Sequence, residues 1–188
     1  LDRTKSLVNL INDLLNITRL EAGKVRRELN RQNIKELIID RLNFFKNDIS
    51  ERALKVNVDI DSNLCVDADR DDLLRLFTQI IANAVRYNKP NGQVNITGRQ
   101  NTHYVKIDFQ DTGLGIKKEE QDRLFEDFFR AKNEFTRNIT GTGLGLTIAK
   151  KIVDAYAGKI KVESEYQKGS TFSVYLPFAK QNNFTIKN

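Results

Sequence analysis

The sequence turns on two short glycine stretches, Asp111-Thr-Gly-Leu-Gly115 and Gly141-Thr-Gly-Leu-Gly145, with the aromatic run Leu124-Phe-Glu-Asp-Phe-Phe-Arg130 between them. Gly113 and Gly115 would let backbone and a flat base approach without a Cβ in the way. The second stretch runs into an apolar-periodic segment, residues 144–157, with Leu146, Ile148, Ala149, Ile152 and Val153 on one side and Gly158 as its stop. It therefore opens a helix, whose free N–H groups and positive dipole end suit phosphate. The two together point to a nucleotide pocket with a lid. A dinucleotide-binding βαβ unit is not expected, because residues 131–142 ahead of the second stretch read as loop. Either stretch alone is explained as well by a tight turn or a close helix contact.

Upstream, Val94 and Ile96, then Val105, Ile107 and Phe109, alternate with polar residues. They read as two antiparallel strands joined near Asn101, the second of which delivers the chain to Asp111. Before them Asp69 caps a helix, with Asp72 at its N3 position and Leu73, Leu76, Phe77, Ile80, Ile81 and Ala84 on the apolar side. Gln79 and Asn83 lie four apart and share a face, and Arg86 and Tyr87 follow one turn later. Asn88-Lys-Pro-Asn-Gly92 closes that helix in a turn. The Asn83 amide oxygen is a ligand that magnesium accepts while phosphates and waters complete its octahedron; a lone helical Asn is more commonly a solvated or core-bonded amide.

Nearer the start, residues 24–31 form a short polar strand candidate, and Asn33 with Glu36 makes a capping box. Ile34, Leu37, Ile38, Leu42, Phe45 and Ile49 continue from it as one amphipathic helix to about Glu51. Leu54, Val56, Val58 and Ile60 alternate as a half-buried strand, and another short strand includes Val66. Residues 1–22 space Leu7, Leu10, Ile11, Leu14, Leu15 and Ile17 as a helix with a wide apolar stripe, stopped by Gly23. At the other end, residues 159–164 and 171–176 read as closing strands, and the residues after Pro177 as a polar tail. Strands in hairpins mixed with helices predict an α+β two-layer α/β sandwich, its sheet mixed and mostly antiparallel with helices on one face, plus the N-terminal helix.

The 188 residues suffice for one domain and an appendage. No apolar run approaches the roughly 18 residues of a membrane span, and no secretory signal opens the chain. The single Cys65 excludes an internal disulfide and fits a reducing compartment. With no methionine at all, the chain is expected to be a piece of a longer protein. Its net charge of +6 raises nucleic acid as a partner, but the basic residues are scattered singly or in pairs, such as Arg26-Arg27 and Lys150-Lys151. A solvated basic surface is therefore expected, with no nucleic-acid role.

Five motifs carry a resemblance. Gln79-Ile-Ile-Ala-Asn83-Ala-Val-Arg86-Tyr87, Asp111-Thr-Gly-Leu-Gly115, Phe125-Glu-Asp-Phe-Phe-Arg130, Gly141-Thr-Gly-Leu-Gly-Leu-Thr-Ile-Ala149 and Gly169-Ser-Thr-Phe172 resemble, in order and spacing, the N, G1, F, G2 and G3 boxes of sensor histidine kinases of two-component systems. Leu7 to Gly23 resembles the second helix of that family's dimerisation and phosphotransfer hairpin. The resemblance implies a Bergerat (GHKL-type) ATP-binding fold over residues 24–178, a partial hairpin over 1–23 and a tail over 179–188.

It further implies ATP and Mg²⁺ as cofactors. Asn83 would chelate the metal, Arg86 and Arg130 would meet phosphates, and Tyr87 would pack near adenine. Asp111 would fix the adenine amino group, with Gly113 and Gly115 beside it and Thr171 assisting. Phe125, Phe128 and Phe129 would hinge the lid, and Gly141, Thr142, Gly143, Leu144 and Gly145 would cradle phosphates. Lys132 and Arg137 are candidate lid contacts. Ordinary core packing is the competing role for the three phenylalanines.

Related ATPases that hydrolyse ATP carry Glu where Gln79 stands, and the histidine kinases commonly Asn. Gln167 likewise departs from a glycine. The acceptor histidine is absent: His103, the only histidine, begins a strand with no acidic neighbour. The implied reaction is transfer of the ATP γ-phosphoryl group to a histidine on a hairpin helix outside this chain, for onward signalling to the receiver domain of a response regulator. A cytoplasmic domain is implied, with homodimerisation through the complete hairpin and room for a membrane anchor elsewhere in the full-length protein. Two alternatives stay open, a nucleotide-binding pseudokinase or interaction module and a serine-directed kinase of the same fold.

Overall fold

A computed structural model describes residue 11, residues 27–131, residue 136 and residues 141–178. The expected N-terminal helix with its stop at Gly23, the lid candidates Lys132 and Arg137, and the tail over 179–188 lie outside the described residues, apart from Ile11, which is helical. In chain order the elements are β1 (Asn30–Asn33), α1 (Ile34–Phe44), α2 (Lys46–Glu51), β2 (Lys55–Ile60), β3 (Cys65–Ala68), α3 (Arg70–Arg86), β4 (Gln93–Gln100), β5 (Tyr104–Asp111), α4 (Lys118–Gln121), α5 (Gly145–Ala155), β6 (Lys159–Glu165) and β7 (Gly169–Pro177).

Five strands form one sheet in the order β2-β4-β5-β7-β6, with β2 parallel to β4 and every other neighbour antiparallel. β1 and β3 pair separately as an antiparallel ribbon. The apolar stripes of α1, α3 and α5 cover one face of the sheet in a single core with Val94, Ile96, Val105, Ile107, Phe109, Phe172 and Val174. The fold is thus the expected mixed α+β sandwich. Phe77 of α3 meets Phe109 of β5 with ring centroids 6.0 Å apart, at the centre of the helix–sheet contact. Truncating such a buried ring to alanine costs about 3–5 kcal/mol.

α3 forms where its cap and stripe agree. The Asp69 carboxylate accepts from the N–H groups of Asp71 at 2.9 Å and Asp72 at 3.3 Å, and Arg86 stands in the last turn against the negative dipole end. Asn33 caps α1, accepting from Glu36 N–H at 3.1 Å. The chain ahead of the sandwich is tied down as well, since Glu28 N–H donates to Asp69 Oδ2 at 3.0 Å.

Three boundaries differ from expectation. The strand sought at residues 24–31 forms at Asn30–Asn33, where β3 gives it a partner. The helix expected from Ile34 to about Glu51 breaks at Phe45, which has φ −91° and ψ 10°. Phe45 at the break and Ile49 in the second piece still pack on the core, so the apolar spacing does not reveal the break. The last helix ends at Ala155, two residues early, and the left-handed residue that closes it is Ala157 (φ 51°) in place of the expected glycine stop.

Candidate functional site

The last turns of α3 present Asn83, Arg86 and Tyr87 beside the turn that follows β5. Asn83 and Tyr87 are half-buried, Arg86 is exposed, and the Asn83 amide makes no hydrogen bond with another described residue. Leu114 N–H donates to Tyr87 O at 3.0 Å, stitching the Asp111 turn to the end of α3. A Cβ on Gly113 would overlap the Tyr87 carbonyl, and one on Gly115 (φ 59°) the Glu165 carbonyl. The group that approaches each of these two glycines is therefore the chain's own backbone.

Asp111 ends β5 on the core side of the sheet, with only 8% of its surface exposed. Its carboxylate accepts from Gly113 N–H at 2.8 Å. Burial pushes its pKa up to about 6, against the backbone N–H groups of Gly113 and Ser170, which favour the charged form. Such a group is an acceptor poised near its own titration point, a pattern concentrated at functional sites.

The second glycine stretch comes to the same place. A Cβ on Gly141 would lie 3.6 Å from Arg86 Nη1 and 3.9 Å from the Tyr87 hydroxyl, and one on Gly145 would lie 2.5 Å from Gln79 Oε1. Gly143 (φ 77°) passes against the backbone of Phe128, whose carbonyl carbon is 2.7 Å from the Cβ position. Leu144, fully buried, anchors the start of α5, and its N–H donates to Thr142 Oγ1 at 3.3 Å. α5 begins with no side-chain cap and no acidic residue in its first turn. Its free N–H groups and positive dipole end are thus left unneutralised by its own side chains, beside Arg86.

The three phenylalanines take different places. Phe125 packs on the core and its carbonyl accepts from Thr147 Oγ1 of α5 at 3.3 Å. Phe129 is half-buried under the Arg123 guanidinium, 4.5 Å from the ring centroid. Phe128 is 61% exposed with a left-handed backbone (φ 61°), so ordinary core packing does not account for it. Arg130 is half-buried.

Thr171 is not brought to Asp111. In the β5–β7 ladder Thr171 stands opposite Gln110 and Ser170 opposite Asp111. Alternation then places Ser170 with Phe172 and Val174 on the core face and Thr171 on the other. Ser170 is the residue a count back from buried Phe172 would have found. Gln167 adopts φ 65°, the left-handed region that glycine favours. Its N–H donates to Leu114 O at 2.6 Å and its carbonyl accepts from Lys89 Nζ, so the β6–β7 turn is bonded to the Asp111 turn. His103 is exposed at the β4–β5 hairpin, its N–H donating to Asn101 Oδ1 at 2.9 Å.

For a metal, no cluster of three His, Cys, Asp or Glu side chains exists among the described residues. One amide oxygen at Asn83 fits Mg²⁺ only where phosphates and water complete the shell, which is how that ion is commonly held.

With this geometry the sequence-family comparison is decisive: the model described as histidine kinase-, DNA gyrase B- and HSP90-like ATPase matches residues 68–180. The chain belongs to this ATPase family. Within it, the chain is similar to the circadian input-output histidine kinase CikA of Synechococcus elongatus, at 31% identity over 94% of this chain and 24% of CikA. Crystallised full-length ShkA in complex with AMPPNP superposes with TM-score 0.79 at 25% identity, over 92% of this chain and 36% of that one. Histidine kinase ThkA in complex with the response regulator protein TrrA superposes with TM-score 0.75 at 25% identity, over 95% of this chain and 49% of that one. The chain thus spans about a quarter of CikA and at most half of either crystallised relative. No helix among its described residues is long and apolar enough to cross a membrane.

Proposed function

We propose that this chain is the ATP- and Mg²⁺-binding catalytic domain of a sensor histidine kinase, passing the γ-phosphoryl group to a histidine on a hairpin helix outside it, for onward transfer to a response regulator. One observation carries the reading: the uncapped start of α5, the Asn83–Arg86 face of α3 and buried Asp111 converge on one place, with the Gly141 Cβ position 3.6 Å from Arg86 Nη1. The AMPPNP bound by ShkA and the response regulator bound by ThkA support the ligand and the partner.

In this reading ionised Asp111 accepts the exocyclic N–H of adenine, with Tyr87 beside the base. Arg86, Arg130 and the N–H groups from Gly141 to Gly145 take phosphate oxygens, which fixes the γ-phosphorus for in-line attack. Asn83 offers its amide oxygen to Mg²⁺. When bound, a magnesium ion would supply neutralisation of phosphate negative charge there. Gln79, an amide on the same helix face, cannot take a proton from water, so the site favours transfer over hydrolysis. The incoming imidazole nitrogen forms the new P–N bond as the bridging oxygen leaves with ADP.

Residues 1–23 would then be the second hairpin helix, through which the full-length protein dimerises, and 24–178 the catalytic domain. The anchoring of Arg27 and Glu28 on the first turn of α3 supports a domain that begins before β1. The test is incubation with γ-labelled ATP, Mg²⁺ and a separate hairpin bearing a histidine. Acid-labile label on the hairpin is expected. ATP binding without transfer would indicate a pseudokinase, and acid-stable label a serine-directed kinase.

A further inference from the structure

Asn88, read from sequence as a turn residue, is a buried junction. Only 4% of its surface is exposed. Nδ2 donates to Ala84 O at 3.1 Å and to Gln93 O at 3.0 Å, while Oδ1 accepts from Lys89 N–H at 3.0 Å and from Thr112 Oγ1 at 3.3 Å. Two donors and two acceptors exhaust what a primary amide offers. The four partners belong to the last turn of α3, the turn after it, the first residue of β4 and the residue directly after Asp111. Thr112 Oγ1 in turn accepts from Gln93 N–H at 2.8 Å. The hydroxyl in the middle of the Asp-Thr-Gly turn is therefore committed to Asn88 and β4.

We infer that Asn88 and Thr112 form a positioning pair that sets the distance between the Asn83–Arg86 end of α3 and the Asp111 turn. Resting on the ATP reading above, this inference gives the pair a role that neither residue would have as a ligand contact. Asn83 and Arg86 lie on the phosphate side and Asp111 on the base side, and a nucleotide must satisfy both at once. A ligand that spans two subsites binds with the advantage of a chelate only if their spacing is held. The pair supplies that constraint at its middle, and Leu114 N–H to Tyr87 O, 3.0 Å, supplies a second tie beside it. A ligand that touches one subsite alone is indifferent to the spacing.

The test compares ATP with Mg²⁺, adenosine, and tripolyphosphate with Mg²⁺ as ligands of the whole chain, at a temperature where circular dichroism shows each variant folded. Thr112→Val keeps the shape and removes both hydroxyl bonds. It should weaken ATP by about tenfold and change adenosine and tripolyphosphate by less than about twofold. Thr112→Ser, which keeps the hydroxyl, should restore wild-type affinity. Asn88→Asp keeps the size but loses the two N–H donors, and it should show the same split if Thr112→Val does not fold. Unchanged ATP affinity, or equal weakening of all three ligands, overturns the positioning role. Wild-type protein that fails to bind ATP overturns the ATP reading itself and this inference with it, a result distinct from variants that bind as wild type does.

Discussion

The Tyr156 hydroxyl donates to Asp72 Oδ2 at 2.9 Å, joining the end of α5 to the first turn of α3. The same oxygen takes Arg27 Nε at 2.7 Å, and the phenol oxygen accepts from Asp69 N–H at 3.1 Å. Burial pushes the Tyr156 pKa up and keeps the phenol a donor throughout the physiological range. Because Asp72 is buried, with 2% of its surface exposed, these partners are what satisfy its carboxylate oxygen. Tyr156→Phe should destabilise the domain by about 1.5–3 kcal/mol, the range for a hydrogen bond to a charged group. Urea unfolding measures it, and no shift in midpoint would mean that Arg27 alone satisfies the carboxylate.

Asp111 makes stability and ligand affinity respond to pH in opposite directions. Its folded pKa, about 6, is raised above that of an unfolded Asp, about 3.9, so the folded state holds the proton more tightly between the two. Its contribution to stability is complete below the lower value and is lost as pH rises through about 6. If Asp111 accepts the adenine amino group as proposed it must be ionised to do so, and nucleotide affinity should then fall as pH drops below about 6. Titrations between pH 5 and 7.5 check this, and Asp111→Asn should remove the pH dependence of stability.

Two left-handed residues mark where glycine would be better. Ala157 closes α5 with Gly158 N–H on Val153 O at 2.9 Å and its own N–H on Asp154 O at 3.0 Å, the paired bonds of a glycine-type helix stop. Gln167 adopts φ 65° in the β6–β7 turn. Left-handed backbone costs an L-residue about 1–2 kcal/mol, and the greater freedom of unfolded glycine returns about 0.4–1 kcal/mol. Ala157→Gly and Gln167→Gly should each raise stability by about 0.5–1 kcal/mol in thermal or denaturant melts.

The glycines of the two stretches are not equivalent. At Gly115 a Cβ would overlap the Glu165 carbonyl and the backbone has φ 59°, so Gly115→Ala should cost about 3 kcal/mol or more. At Gly141 the nearest atom would be 3.6 Å away, so Gly141→Ala should stay within about 0.5 kcal/mol of wild type. Equal losses at the two positions would contradict this packing.

Much of the fold is legible in the residues alone. α3 announces itself because an Asp cap, a first-turn carboxylate and one apolar stripe agree, and β5 because its alternation is unbroken up to Asp111. Features decided by tertiary contact are not legible in that way. The break at Phe45 is hidden because Phe45, at the break, and Ile49, one turn beyond it, both stay on the core. Gly158 looks like the left-handed stop, but it is glycine because a Cβ there would strike the Tyr175 carbonyl, and Ala157 takes the left-handed turn instead. Ser170 displaces Thr171 opposite Asp111 because sheet parity depends on the β5–β7 register. Asn88 has the composition of a turn residue, and only its four partners in α3, the turn after it, β4 and the Asp111 turn make it a junction.

The central claim is that one pocket holds the base at Asp111 and metal-bound phosphates at Asn83. Calorimetric titration of the 188-residue chain with AMPPNP, with and without Mg²⁺, in wild type, Asn83→Ala and Asp111→Asn, tests it most directly. The prediction is saturable one-to-one binding by the wild type that Mg²⁺ strengthens, loss of that strengthening in Asn83→Ala, and loss of binding in Asp111→Asn. No binding by the wild type, or binding equal with and without Mg²⁺ and in both variants, would contradict the claim.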